Sequence, residues 1–142
     1  MARSRIGDPA AGPTDPRITA YLEGTHHPQQ ALAPRVAYLA EEGATVTGYI
    51  GGHLTRRFEC DGELQYLYVA PPYRRSGVAT ELVRLLARWF TQQGAAKICV
   101  NANPDSPAAR AFYLRLGATE INRHWFVWDD ISTLMAPGNG PG

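Results

Sequence analysis

The chain reads as an α/β (α+β) domain, and three features carry that reading. Two runs, Thr45–Thr55 and Glu63–Val69, alternate in polarity and end in turn residues. A long amphipathic helix starts immediately after Gly77 and stops at Gly94. A second helix opens with Ser106-Pro107 and is followed by an aromatic-rich segment, Thr119–Asp129. The implied order is helix, three strands, helix, strand, helix, strand, with strand–helix–strand crossovers around the long helix.

In chain order, residues 1–16 are rich in Pro, Gly and Ala, lack a hydrophobic period and read as a disordered tail. Ile18–Glu23 fits a short helix capped by Gly24, and His26-His27-Pro28 a turn, with Gln29–Leu32 as a further helical turn. Arg35–Ala40 is a strand joined through a turn at Glu42-Gly43 to Thr45–Thr55. In that second strand Val46, Ile50 and Leu54 fall on one face and Tyr49 and His53 on the other. Gly48, Gly51 and Gly52 within it predict a bulge or a close backbone approach. Asp61-Gly62 turns the chain into Glu63–Val69. The helix after Gly77 places Val78, Leu82, Leu85, Leu86, Trp89 and Phe90 on its apolar stripe and Glu81, Arg84, Arg88 and Gln92 opposite. Ala96–Val100 is a short strand, the second helix ends at Leu116-Gly117, and Thr119–Asp129 supplies one or two closing strands. Residues 136–142 read as a second tail, leaving one domain over 17–135.

The 142 residues carry a net charge of +1, which gives no electrostatic case for nucleic acid or an anionic membrane. No apolar run reaches membrane-spanning length, and the basic N-terminus lacks the apolar segment of a secretory signal. The two cysteines, Cys60 and Cys99, form no metal-spacing pattern, and His26-His27 has no further ligands near it in sequence. The expectation is a cytoplasmic protein with free thiols and no metal.

The most informative stretch is Val69–Ala79. A strand ends at Pro71-Pro72; Arg74, Arg75 and Gly77 follow; a helix then begins. A helix start leaves four backbone N–H groups without intrahelical partners, and its dipole favours negative charge. Two guanidinium groups beside it add charge-assisted hydrogen bonds. This is an anion site. It is not a P-loop, because Tyr49 and Ile50 stand where the Gly43/Gly48 spacing requires Lys and Ser/Thr, and no GxGxxG follows a strand.

Arg74-Arg75-Ser76-Gly77-Val78-Ala79, preceded by Leu67-Tyr68-Val69, fits the pattern [Q/R]-x-x-G-x-[G/A], and resembles the pyrophosphate loop of the GNAT superfamily of N-acetyltransferases. Ser106–Ala118 resembles the same family's N-x-x-A-x-x-[L/F]-Y-x-x-L-G helix, with Ser in place of Asn. The resemblance covers about residues 18–130. It implies a mixed, mostly antiparallel sheet flanked by helices, with a splayed pair of parallel strands that holds acetyl-CoA. The amides from Arg75 to Thr80 (Arg75, Ser76, Gly77, Val78, Ala79, Thr80) would then cradle the pyrophosphate. Arg74 either contacts it or stays a solvated charge. Leu67, Tyr68 and Val69 would bind the pantetheine arm through their backbone, in the manner of an added strand. Ser106 caps its helix and is a second candidate pantetheine contact.

Attack of an amine on a thioester ends in expulsion of a thiolate, and the family places a tyrosine near the sulfur to assist; here that residue is Tyr113. An alkylamine is mostly protonated at neutral pH, so a base is also needed. Glu63, at the start of the strand expected to face the cleft, is the preferred candidate; Glu59, His53 and a chain of waters are alternatives. Some family members keep a carboxylate at the end of the next strand, where this chain has Cys99 and Asn101. The expected activity is direct acetyl transfer to a primary amine of a small molecule or a protein; a catalytically silent acyl-CoA-binding module or a phosphate-binding domain are the rivals. A homodimer is compatible with the family but has no sequence signal.

Overall fold

The structure, a computed structural model, describes residues 3–6 and 31–135. Seven strands form one sheet: β1 (Arg3–Ile6), β2 (Leu32–Glu42), β3 (Thr45–Leu54), β4 (Gly62–Val69), β5 (Ile98–Asn101), β6 (Thr119–Asn122) and β7 (Trp125–Trp128). Their order across the sheet is β1-β2-β3-β4-β5-β7-β6. Neighbours are antiparallel except β4 and β5. Two helices join strands that run the same way: α1 (Val78–Gln92) between β4 and β5, and α2 (Pro107–Arg115) between β5 and β6. The mixed sheet with one parallel pair is the architecture the sequence predicts.

Two differences stand out. Residues 3–6, read from sequence as tail, form β1 and pair with Tyr38–Glu41 of β2. A four-residue edge strand is too short to show a hydrophobic period, so composition alone assigns it to the tail. The stretch after the last strand holds a short 3-10 helix, Ile131–Met135, whose Ile131 is buried. The expected helix at Ile18–Glu23 and the turn at His26-His27 lie outside the described residues.

The sheet has two differently populated faces because side chains alternate along each strand. Ile50, Leu64, Val69, Ile98, Val100, Phe126 and Trp128 pack with α1. Ala37, Leu39 and Tyr49, and separately Cys60, Cys99 and Val127, form smaller clusters. The expected division of β3 between Ile50 and Tyr49 is therefore observed. On α1, Val78, Leu82, Leu86 and Phe90 are buried as the helical period requires; Val83 and Ala87 join them, while Leu85 and Trp89 are half-buried at the edge. Complete burial of side chains such as Leu82 and Leu86 stabilises by about 1.5–3 kcal/mol each.

One irregularity shapes everything downstream. In the β3–β4 ladder Gly51 faces Tyr66 but Gly52 faces Leu64, so Gln65 is an extra residue on β4. The bulge resets the alternation, and Leu64, Leu67 and Val69 all pack toward α1. It sits opposite the glycine pair singled out in the sequence. A Cβ on Gly52 would come within 3.0 Å of Leu86 Cδ1. At Gly62 the approach is closer still, 2.4 Å to Phe90 Cε1.

Gly62→Ala should therefore overpack a site where a buried ring cannot swing away. The expected cost is about 1–3 kcal/mol, read as a fall of several degrees in the thermal midpoint. An unchanged midpoint would show that α1 does not depend on this contact.

Candidate active site

The site is built where β4 runs into α1. β4 pairs with β5 only over Gly62–Leu64, against Ile98–Val100. Beyond the bulge β4 keeps β3 as its partner up to Val69, while β5 is paired with β7 on its other side. The two parallel strands thus separate, and β4 gains an open edge. Ala70 donates its N–H to Thr47 O at 2.8 Å across the β3 side. Strand alternation then turns the backbone groups of Val69 and Leu67 toward the gap. Arg74 Nε reaches one of them, donating to Val69 O at 2.8 Å.

After Val69, Pro71–Tyr73 makes a 3-10 turn. Arg75 has φ 64° and Gly77 φ 89°. Left-handed backbone at a non-glycine residue costs about 1–2 kcal/mol, and loops of this kind turn successive N–H groups to one side. Ser76 Oγ donates to Tyr73 O and so braces the loop. Gly77 is the N-cap of α1 and offers no side-chain acceptor. The first N–H groups of α1 therefore lack a cap, which is the condition for binding an anion.

Between this loop and α2 lies a cleft of about 470 Å³. Of the residues proposed from sequence, Leu67, Val69, Arg74, Arg75, Gly77, Ala79, Thr80 and Tyr113 line it. Tyr68 does not: its ring is exposed on the other side of the strand, 5.4 Å from Tyr49, with Arg74 Cζ 5.9 Å away. The Val78 side chain is buried beneath the helix start, and Ser76 is exposed on the loop. Ser106 caps α2, accepting from Ala109 N at 3.2 Å, and is not part of the lining. Tyr73, Ala108, Ala109, Phe112 and Arg115 line the cleft without having been singled out as site residues. Three of them, Ala108, Phe112 and Arg115, follow an i, i+4, i+7 stripe that the helical period could have supplied.

Tyr113 lines the cleft from α2. It is 6% exposed and lies 5.8 Å from the Trp128 ring, edge to face, and 6.3 Å from Phe126. Burial pushes its phenol up to about 12. The group stays protonated at neutral pH and so keeps a proton to donate.

Glu63 corrects the sequence reading. It does not face the cleft. Its register partner on β5 is Cys99, on the side of the sheet away from α1. The residue is 3% exposed, and Oε1 accepts from Arg57 Nε at 3.1 Å, with His53 Nε2 3.6 Å away. Alternation before the bulge differs from alternation after it, so Glu63 and Leu67 end on opposite faces. No carboxylate lines the cleft among the described residues. A larger cavity of about 560 Å³ lies at the other end of α1, beside Glu59, Asp61 and Gly94. Against one arginine, Arg56, it sets two acids and a helix C-terminus, a balance that disfavours an anion, so the smaller cleft is the better candidate.

Residues 10–118 match the sequence model of the family described as Acetyltransferase (GNAT) family. The chain is 37% identical over 60 residues to an aminoglycoside N(6')-acetyltransferase type 1 of Acinetobacter genomosp. 13, covering 42% of this chain and 41% of that protein. It is 26% identical over 97 residues to a protein of the same name from Salmonella typhimurium, covering 66% and 62%. The matched region is thus less than two thirds of either relative. Among solved structures, the PaiA N-acetyltransferase of Thermoplasma acidophilum in complex with coenzyme A superposes with TM-score 0.59 at 15% identity, over 79% of this chain and 65% of that one. An aminoglycoside 6'-acetyltransferase type Ii gives TM-score 0.59 at 22% identity, over 68% and 69%. At these identities the structures speak to the fold.

The buried phenol has a measurable signature. One tyrosine should ionise near pH 12 in an absorbance titration of the folded protein, and that component should vanish in Tyr113→Phe. The folded value lies above the ordinary 10, so the unfolded chain loses this proton first. The corresponding stability is complete below about pH 10 and lost as the pH rises toward 12. Loss of a component near pH 10 instead of near 12 in Tyr113→Phe would place the Tyr113 hydroxyl in water.

Proposed function

The chain belongs to the GNAT acetyltransferase family, and on that premise we propose that it transfers an acetyl group from acetyl-CoA directly to a primary amine of a small molecule. The observation that carries this reading is the meeting of three features in one cleft: an uncapped helix start, an open strand edge and a buried tyrosine.

The residues fit the cofactor. The first amides of α1 and the left-handed backbone at Arg75 and Gly77 suit a pyrophosphate. Arg74, Arg75 and Arg115 add positive charge to the lining. Leu67 and Val69 offer backbone groups to an extended amide-bearing arm, as a sheet edge accepts another strand. Acetyl-CoA would supply an activated thioester. Tyr113 would donate a hydrogen bond to its sulfur as negative charge develops there. A thiol ionises near 8.5 and this phenol near 12. Donation of a hydrogen bond is therefore favoured over complete proton transfer.

Neither thiol is poised to form an acyl-enzyme. Burial raises Cys99, with nearby Cys60 and Glu63 adding to the shift, and burial also raises Cys60. A protonated, buried thiol is a poor nucleophile, which favours direct transfer. With no carboxylate in the lining among the described residues, the amine proton would leave through water. The relatives named above make amino groups of aminoglycosides the first acceptors to test.

Acetyl-CoA at about 100 times its Kd should stabilise the folded chain by about 2.7 kcal/mol, while inorganic phosphate at equal concentration should not. Absence of a shift would remove the cofactor assignment. In a thiol-release assay with aminoglycoside amines, Tyr113→Phe should lower kcat about tenfold or more, with acetyl-CoA affinity within about twofold of the parent. Equal turnover would remove Tyr113 from the mechanism.

A further inference from the structure

α1 and α2 are attached to the sheet in different ways. α1 buries six side chains, but α2 buries one, Tyr113. The residue that serves the cleft is thus also the sole fully buried side chain of its helix. Helix rotation or sliding of α2 would move the Tyr113 hydroxyl directly. Donation to a developing charge falls steeply with misalignment, and displacement of about 1 Å can cost about 100-fold in rate.

Arg110 lies three residues before Tyr113, on the adjoining part of the same helix surface. Its guanidinium makes three contacts with the β6–β7 hairpin. Nη1 donates to Arg123 O at 2.9 Å, Nη2 pairs with Glu120 Oε2, and Cζ lies 5.0 Å from the Phe126 ring centroid. Phe126 is fully buried and its ring is in turn 6.3 Å from that of Tyr113. Long helical side chains lean toward the preceding turn, so the Tyr113 ring extends over the turn that Arg110 holds. Three residues beyond Tyr113, Leu116 O accepts from Trp128 Nε1 at 3.1 Å. The hairpin therefore grips α2 one turn to either side of the tyrosine.

We infer that Arg110 is a positioning residue for acetyl transfer, locking α2 to the β6–β7 hairpin so that Tyr113 keeps its hydroxyl directed into the cleft. The inference rests on the role proposed above for Tyr113. An exposed ion pair between Arg110 and Glu120 would contribute little to stability. The fork of contacts to a carbonyl, a carboxylate and a ring instead fixes orientation. Arg110 itself does not line the cleft.

The test is a double-mutant cycle on the full chain. Arg110→Ala should lower kcat about tenfold, with acetyl-CoA affinity within about twofold. In the Tyr113→Phe background the same change should lower kcat by less than about twofold, because the hydroxyl it orients is gone. Equal losses in the two backgrounds would overturn the inference, as would unchanged kcat in the parent. If Tyr113→Phe alone leaves kcat unchanged, the tyrosine reading fails first and takes this one with it. A readout independent of turnover is the phenol titration: in Arg110→Ala the midpoint should fall from about 12 toward 10 as water reaches the ring. A midpoint still near 12 would refute the positioning role. Should Arg110→Ala fold poorly, Glu120→Gln removes one contact of the fork, and a smaller, equally non-additive loss is expected; additive loss there would overturn the inference too.

Discussion

The site depends on the early end of one strand pairing. β4 and β5 run parallel and stay together for three residues, Gly62–Leu64. The extra residue at Gln65 then bends β4 and resets which side chains face α1. From that point β4 has a partner on one side only. An unpaired edge inside a protein is costly unless something takes its hydrogen bonds. Here the edge opens on a cleft closed by the loop before α1 and by α2. A bound extended amide can complete the ladder, so the irregularity becomes a place for a ligand.

α1 is the fixed reference of this arrangement. Its buried stripe packs against β3 and β4 at the glycines, where no side chain keeps the helix away. This close seat holds the N-terminus of α1 beside the end of β4, and the anion-directed amides with it. α2 has no comparable seat. It contributes a tyrosine and relies on the β6–β7 hairpin for its orientation. The end of the cleft at α1 is thus set by packing, and the end at α2 is held by polar contacts and aromatic edges.

The opposite face of the sheet carries different chemistry. Arg57, Glu63 and His53 gather there beside Cys99, and Arg57 Cζ also stands 4.6 Å from the Trp125 ring centroid. Glu63 is committed to that group. It is therefore not available to the cleft, whose lining holds no carboxylate among the described residues, which is why water is proposed to remove the amine proton.

The amino-acid sequence by itself determined the elements whose signals are local. The α1 stripe, the Ser106 cap and the glycine at position 77 can each be read because neighbouring residues decide them. The loop residues of the cleft were legible for the same reason, since a strand, a turn and a helix start adjoin in the chain. What only the tertiary structure decided is which residues meet across the sheet. Glu63 was misplaced because one bulged residue changes the face of everything beyond it, and a bulge depends on the partner strand. Arg110 could not be distinguished from a solvated helix charge until the hairpin was in place. Local physics writes helices and turns into the chain; the pairing of distant strands decides which side chains share a site.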